Sequence, residues 1–143
     1  MKSKILVFIQ FFIIFLMLLP LGNEVKYIEI GTFFIVVGSI VGVLALVKNK
    51  IGNFNIRPDI KEGCFLITDG IYKYVRHPMY SSVLLMMLGI MFLYMHLFEV
   101  VLYTLLVIDL IVKMLYEENL WCDNSEEYIA YSKKTKRLIP YVF

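Results

Sequence analysis

Read only for hydrophobic and polar positions, the chain divides into four apolar runs separated by short polar stretches. The first, "ILVFIQFFIIFLMLLPLG", covers residues 5–22 behind Lys2 and Lys4, and the second, "IEIGTFFIVVGSIVGVLALV", covers 28–47. The third, "MYSSVLLMMLGIMFLYMHLF", begins at Met79, and the fourth, "VVLYTLLVIDLIVKMLY", begins at Val100. Each holds roughly 17 to 20 residues, enough for a helix rising 1.5 Å per residue to cross about 30 Å of hydrocarbon. The first run also has the basic start of a signal peptide. No small-x-small cleavage site follows it and further apolar runs do, so a retained helix is expected. The last two runs are joined through residues 96–99, which predicts a tight antiparallel hairpin. The expectation is an all-α integral membrane protein with four transmembrane helices.

Composition strengthens that picture. Of 143 residues, 60% are hydrophobic and the mean hydropathy is +0.77, above the apolar share of soluble domains. The length suits one domain, residues 1–143. A net charge of +2 makes nucleic acid no obvious partner. Lys and Arg cluster before the first run, between the second and third, and after the fourth, while Lys26 alone falls on the other side. Cytoplasmic retention of basic residues then predicts that both termini face the cytoplasm. Cys64 and Cys122 have no metal-ligand spacing and fall on that same side, where a disulfide is not expected. In the second run, Gly31, Gly38 and Gly42 recur at seven and four residues, a stripe that lets another helix approach closely. No dinucleotide fingerprint, phosphate loop, HExxH zinc motif or other metal site occurs.

The candidate chemistry therefore lies in residues 48–78 and 116–143. In the first piece, Pro58, Gly63 and Asp69-Gly70 mark turns, and Pro78 suits the first position of a helix. His77 is then expected to cap that helix, at the positive end of its dipole. Arg76 with Tyr72, Tyr74 and Tyr80 equally suits an interfacial anchor binding lipid phosphates. In the second piece, Glu117 and Glu118 are expected at the negative end of the fourth helix, where acids need a cation. Lys113, four residues earlier, either pairs with Glu117 or offers a charge to a substrate. Residues 125–136 read as a short cytoplasmic-face helix capped by Ser125, with Tyr128 and Tyr131 on one side. Its basic end, Lys133 to Arg137, suits an anionic membrane surface. Asp109, mid-run in the fourth segment, is costly there and should face a cavity or a polar partner.

The run "LITDGIYKYVRHPMY", an acidic pair after a helical hairpin, and "EEYIAYSKKTKRLIP" together resemble the isoprenylcysteine carboxyl methyltransferase family. They are also similar to the broader group of small membrane methyltransferases that includes phospholipid methyltransferases. The resemblance covers residues 60–140 and is most specific at "GIYKYVRHPMY". It implies S-adenosylmethionine held at the cytoplasmic membrane face by Leu66, Ile67, Tyr72, His77, Pro78, Tyr80 and one or both of Glu117 and Glu118. It further implies methyl transfer to a lipophilic acceptor, lipid or otherwise, with Glu117, Glu118 and His77 as the catalytic candidates. Physically, carboxylates and tyrosine faces stabilise a sulfonium, and a helix N-terminus bearing His77 suits the donor's carboxylate. Two alternatives stand beside this reading: a membrane reductase of the sterol type using NADPH, and a non-catalytic membrane protein.

Overall fold

The described residues form five α-helices and one 3-10 turn, and the first four helices fall on the apolar runs. The computed structural model describes residues 2–19, 24–53 and 65–143. Helix α1 spans Lys2–Met17, α2 Ile28–Asn53, α3 Pro78–Leu93, α4 Leu97–Asn124 and α5 Glu126–Ser132, and a 3-10 helix at Gly70–Lys73 precedes α3. Among the described residues there is no β-strand, only an isolated parallel bridge between Val75 and Lys136. Pro20, Gly22, Arg57, Pro58, Lys61, Gly63 and Cys64 lie outside the described residues.

The helices pair as α2 on α3 and α1 on α4, and the glycine stripe explains the first pair. A Cβ at Gly38 would lie 2.8 Å from the Met86 backbone nitrogen, and one at Gly31 would lie 2.9 Å from the Gly89 carbonyl oxygen. Only glycine permits that approach, and Ser82 fastens it by donating from Oγ to the Gly38 carbonyl at 2.7 Å. The second pair closes over an apolar core of Ile13, Met17, Met87, Met91, Leu102, Leu106 and Leu110. The hairpin between α3 and α4 is as tight as expected. His96 accepts from the Phe98 backbone N–H at 3.3 Å and so caps α4.

The burial pattern is inverted relative to a water-soluble protein. Phe8, Phe33 and Val47 are 70%, 62% and 72% exposed, while Gln10, Asp109 and Lys113 are buried. Polar groups turned inward and aromatic groups turned outward suit a hydrocarbon solvent. Among the described residues one helix, over Ile28–Asn49, is long and apolar enough by itself to cross a membrane. Helices α1 and α3 are apolar but have 16 residues each. Helix α4 has 28 residues and carries Glu99, Asp109 and Lys113.

Two boundaries correct the sequence reading. Helix α4 continues to Asn124, so Glu117 and Glu118 lie inside it and not at its negative end. No Gly or Pro interrupts 111–124, so nothing stops the helix sooner. It ends where Ser125 turns extended and caps α5, accepting from the Tyr128 N–H at 3.1 Å. Helix α5 is shorter than expected and stops at Ser132, because the residues after it pair elsewhere.

Candidate functional site

The C-terminal segment lies along the residues that enter α3. Arg76 N–H donates to the Lys136 carbonyl at 2.8 Å, His77 N–H to the Arg137 carbonyl at 3.0 Å, and Lys136 N–H to the Tyr74 carbonyl at 3.2 Å. Ser81 Oγ adds a bond to the Leu138 carbonyl at 2.8 Å. Pro78 then opens α3 as expected, with His77 at the position before it. His77 occupies the cap position but makes no side-chain cap bond, contrary to expectation. Its ring is drawn away by two stronger partners. Nε2 lies 3.2 Å from Glu118 Oε1, and the ring stacks on Tyr80 at 5.4 Å between centroids.

Glu118 is the hub of this arrangement. Its Oε1 accepts from Arg76 Nε and Nη2, each at 2.9 Å, and its Oε2 accepts from Arg137 Nε at 2.9 Å. Arg76 Nη1 meanwhile donates to the Ser132 carbonyl at 2.9 Å and to the Thr135 carbonyl. Burial opposes ionisation of Glu118, but hydrogen bonds from His77, Arg137 and Arg76 outweigh it and hold the carboxyl at about 2. A buried charge this fully partnered is a structural tie. It joins α4, the start of α3 and the C-terminal segment.

Glu117, its neighbour, is placed differently. It accepts a hydrogen bond from the Tyr80 hydroxyl at 2.8 Å and forms no ion pair among the described residues. Lys113, one turn deeper, does not pair with it. Its Nζ donates to Gln10 Oε1 at 2.7 Å and lies 5.3 Å from the centroid of the Tyr80 ring. Another turn deeper, Asp109 is buried and its Oδ2 has no hydrogen-bond partner.

An aromatic wall flanks the two acids. Tyr131 donates from its hydroxyl to the Tyr72 carbonyl at 2.6 Å. Trp121 stacks on Tyr128 at 5.6 Å, and Tyr128 meets Tyr131 edge-on at 6.0 Å. Burial, with Tyr131 and Glu117 beside it, pushes the Tyr72 hydroxyl well above its usual range. Tyr131 is pushed up to about 12, chiefly by burial. These phenols stay protonated at neutral pH and offer faces and donors, not bases. Leu66 and Ile67 are half-buried on residues 65–68, leading into the 3-10 helix, and present apolar surface and backbone.

The fold thus gathers Tyr72, His77, Pro78, Tyr80, Glu117 and Glu118 at one polar end. Three contributors escaped the sequence reading as partners: Arg137, Trp121 and Gln10. Arg137 reads as one more basic residue in a membrane-facing cluster, and its tie to Glu118 depends on where α4 ends and α5 turns. The three-residue spacing of Tyr128 and Tyr131 was the legible part of the aromatic wall.

The chain matches the Isoprenylcysteine carboxyl methyltransferase (ICMT) family over residues 29–122, more than half its length. It belongs to that family. None of the curated proteins matches it. ICMT-family proteins are membrane methyltransferases that use S-adenosylmethionine as methyl donor. The matched span contains the RHPMY run and both acids, and stops before α5. Arg137 and the Tyr128–Tyr131 part of the wall therefore lie beyond it. The donor set suits the ICMT-family methyl donor on its own chemistry. Among the described residues Glu117 is a carboxylate without a cation bonded to it, beside a tyrosine ring, whereas Arg76 is occupied by Glu118 and by the Ser132 and Thr135 carbonyls.

Proposed function

We propose that this chain transfers a methyl group from S-adenosylmethionine to a lipophilic or membrane-associated acceptor at the cytoplasmic membrane face. The proposal takes the whole chain as one membrane-embedded unit of four spans. The observation that carries it is the contrast between adjacent acids. Glu118 is neutralised by three cationic or polar partners, while among the described residues Glu117 has only the Tyr80 hydroxyl. An uncompensated carboxylate against a tyrosine face, in a low-dielectric setting, favours a cationic ligand.

In this reading Glu117 and Tyr80 hold the sulfonium, with Tyr72 closing one side. Leu66 and Ile67 supply apolar surface for the adenosyl moiety. His77 and Pro78 fix the start of α3 and, through the stacked rings, the orientation of Tyr80. Glu118 is a positioning residue acting through His77, Arg76 and Arg137. When bound, S-adenosylmethionine supplies a methyl group on a positively charged leaving sulfur. The contribution of the chain is to align donor and acceptor and to exclude water from a step in which charge is lost.

Calorimetric titration of purified protein in detergent tests this directly, comparing S-adenosylmethionine with NADPH. Saturable binding of S-adenosylmethionine and none of NADPH is expected. Binding of NADPH alone would favour a reductase, and binding of neither would remove the enzymatic reading.

A further inference from the structure

Among the described residues Lys113 is the largest fully buried side chain, at 2% exposure. Its ammonium has one hydrogen bond, to Gln10 Oε1 at 2.7 Å, and rests 5.3 Å from the Tyr80 ring centroid. Helix α4 places a carboxylate one turn to either side of it, Asp109 and Glu117, on the same face. It forms a salt bridge with neither among the described residues. Asp109 is 7% exposed, and its Oδ2 is buried without a partner. Buried acceptors are rarely left unmade, because each forfeits the hydration it had in water. An orphaned carboxylate oxygen within reach of a buried ammonium therefore points to a second position for that ammonium.

We propose that Lys113 is an exchangeable cation, resting over the Tyr80 ring when no sulfonium is there and withdrawing to Asp109 Oδ2 when S-adenosylmethionine is bound. The inference rests on the methyl-donor reading above and specifies how that site handles charge. In the resting arrangement the ammonium already sits where a cation is stabilised by the Tyr80 ring. A second cation cannot share that place without repulsion in a poorly screened interior. The four-carbon stem of Lys113 spans one helical turn by rotamer change alone, so withdrawal needs no backbone movement. Asp109 then gains the partner it lacks. On methyl transfer the acceptor provides the electron pair for the new bond to carbon, and the pair of the broken S–CH3 bond stays on sulfur. The resulting thioether is neutral, and Lys113 returns to Tyr80. The Tyr80 face thus holds one cation before binding, during it and after the charge is spent.

The test compares two ligands that differ in that charge, S-adenosylmethionine and S-adenosylhomocysteine, titrated calorimetrically onto protein in one detergent. Lys113→Gln keeps a donor for Gln10 but removes the competing charge. It should tighten S-adenosylmethionine binding about tenfold and leave S-adenosylhomocysteine within about twofold. Asp109→Asn removes the counter-ion for the withdrawn ammonium and should weaken S-adenosylmethionine about tenfold, again sparing the neutral ligand. In the double variant the Asp109→Asn effect should vanish, since there is no ammonium left to receive. Thermal melting confirms the fold, and Lys113→Met replaces Lys113→Gln if the latter melts early. Parallel shifts for both ligands, or an Asp109→Asn effect that persists without Lys113, would overturn the exchange while leaving the donor site standing. Failure of the unmodified protein to bind either ligand overturns the methyl-donor reading itself, and the exchange with it.

Discussion

Glu117 and Glu118 are chemically identical and adjacent, yet the fold gives them opposite work. A helix sends consecutive side chains about 100° apart. Glu118 therefore meets Arg76, His77 and Arg137, while Glu117 meets the Tyr80 hydroxyl. Replacing Glu118 by Gln leaves two guanidinium groups short of their counter-charge in a buried setting. The expected cost is about 3 kcal/mol or more of stability. Glu117→Gln keeps a hydrogen-bond acceptor for Tyr80 and should melt near the unmodified protein. It should lose S-adenosylmethionine affinity by about tenfold to a hundredfold, as the charge facing the sulfonium is gone. Thermal melting and calorimetric titration of both variants check this. Equal affinity loss in both with equal stability would show that the acids share one role. The sequence singled out both acids but could not separate their surroundings. Their separation depends on the helical phase of α4 relative to Arg137, which is fixed by the turn at Ser125.

At the scale of elements, the Glu118 tie joins three segments that local pattern alone does not connect. The apolar helices and the Pro78 start of α3 were legible, because hydrophobic period and proline chemistry act within a few residues. The glycine stripe was legible as a packing face for the same reason. The return of residues 135–138 onto 74–77 was not, since it rests on backbone bonds between segments about sixty positions apart. That return has a definable acid response. The Glu118 carboxyl is depressed from 4.5 to about 2 in the folded protein. A depressed carboxyl contributes stability at pH above its unfolded value and loses that contribution as pH falls toward the folded one. Acidification from about 4.5 toward 2 should therefore loosen the tie, with a loss on the order of 2 kcal/mol. Trp121 is the sole tryptophan and stacks on Tyr128 of α5, so its fluorescence reports whether α5 stays docked. A fluorescence change in that window, absent in Glu118→Gln, is the expected result. An identical acid transition in Glu118→Gln would assign the response to another group.

For the whole molecule, the outward aromatic surface and the inward polar groups describe one object: a bundle whose solvent is hydrocarbon. Among the described residues, helix α2 alone is long and apolar enough to cross by itself. The other three helices have reasons to fall short that are compatible with crossing. Helices α1 and α3, at 16 residues each, reach about 24 Å at 1.5 Å per residue. That deficit is one a bilayer accommodates by local thinning or by flanking residues at modest cost. Helix α4 has ample length, and two of its charged groups, Asp109 and Lys113, are turned inward and buried. An intramembrane charge is tolerated in that position when it faces the bundle interior. The proposed four spans would put the start of α1, the segment 65–77 and the C-terminal segment on one side. Lys26 and His96 lie on the other. In that proposal the distribution of Lys and Arg would make the first of those sides cytoplasmic. Lys26 fits its assignment, since its backbone N–H and Nζ both bond carbonyls at the α3–α4 turn, those of Leu93 at 2.9 Å and Met95 at 3.0 Å. Reporter fusions after residues 26, 73, 96 and 143 test the arrangement in living cells. Fusions at 73 and 143 should report the cytoplasm, and fusions at 26 and 96 the opposite compartment. If 73 and 96 report the same side, α3 does not cross. The polar end would then be an interfacial site on a bundle with fewer spans.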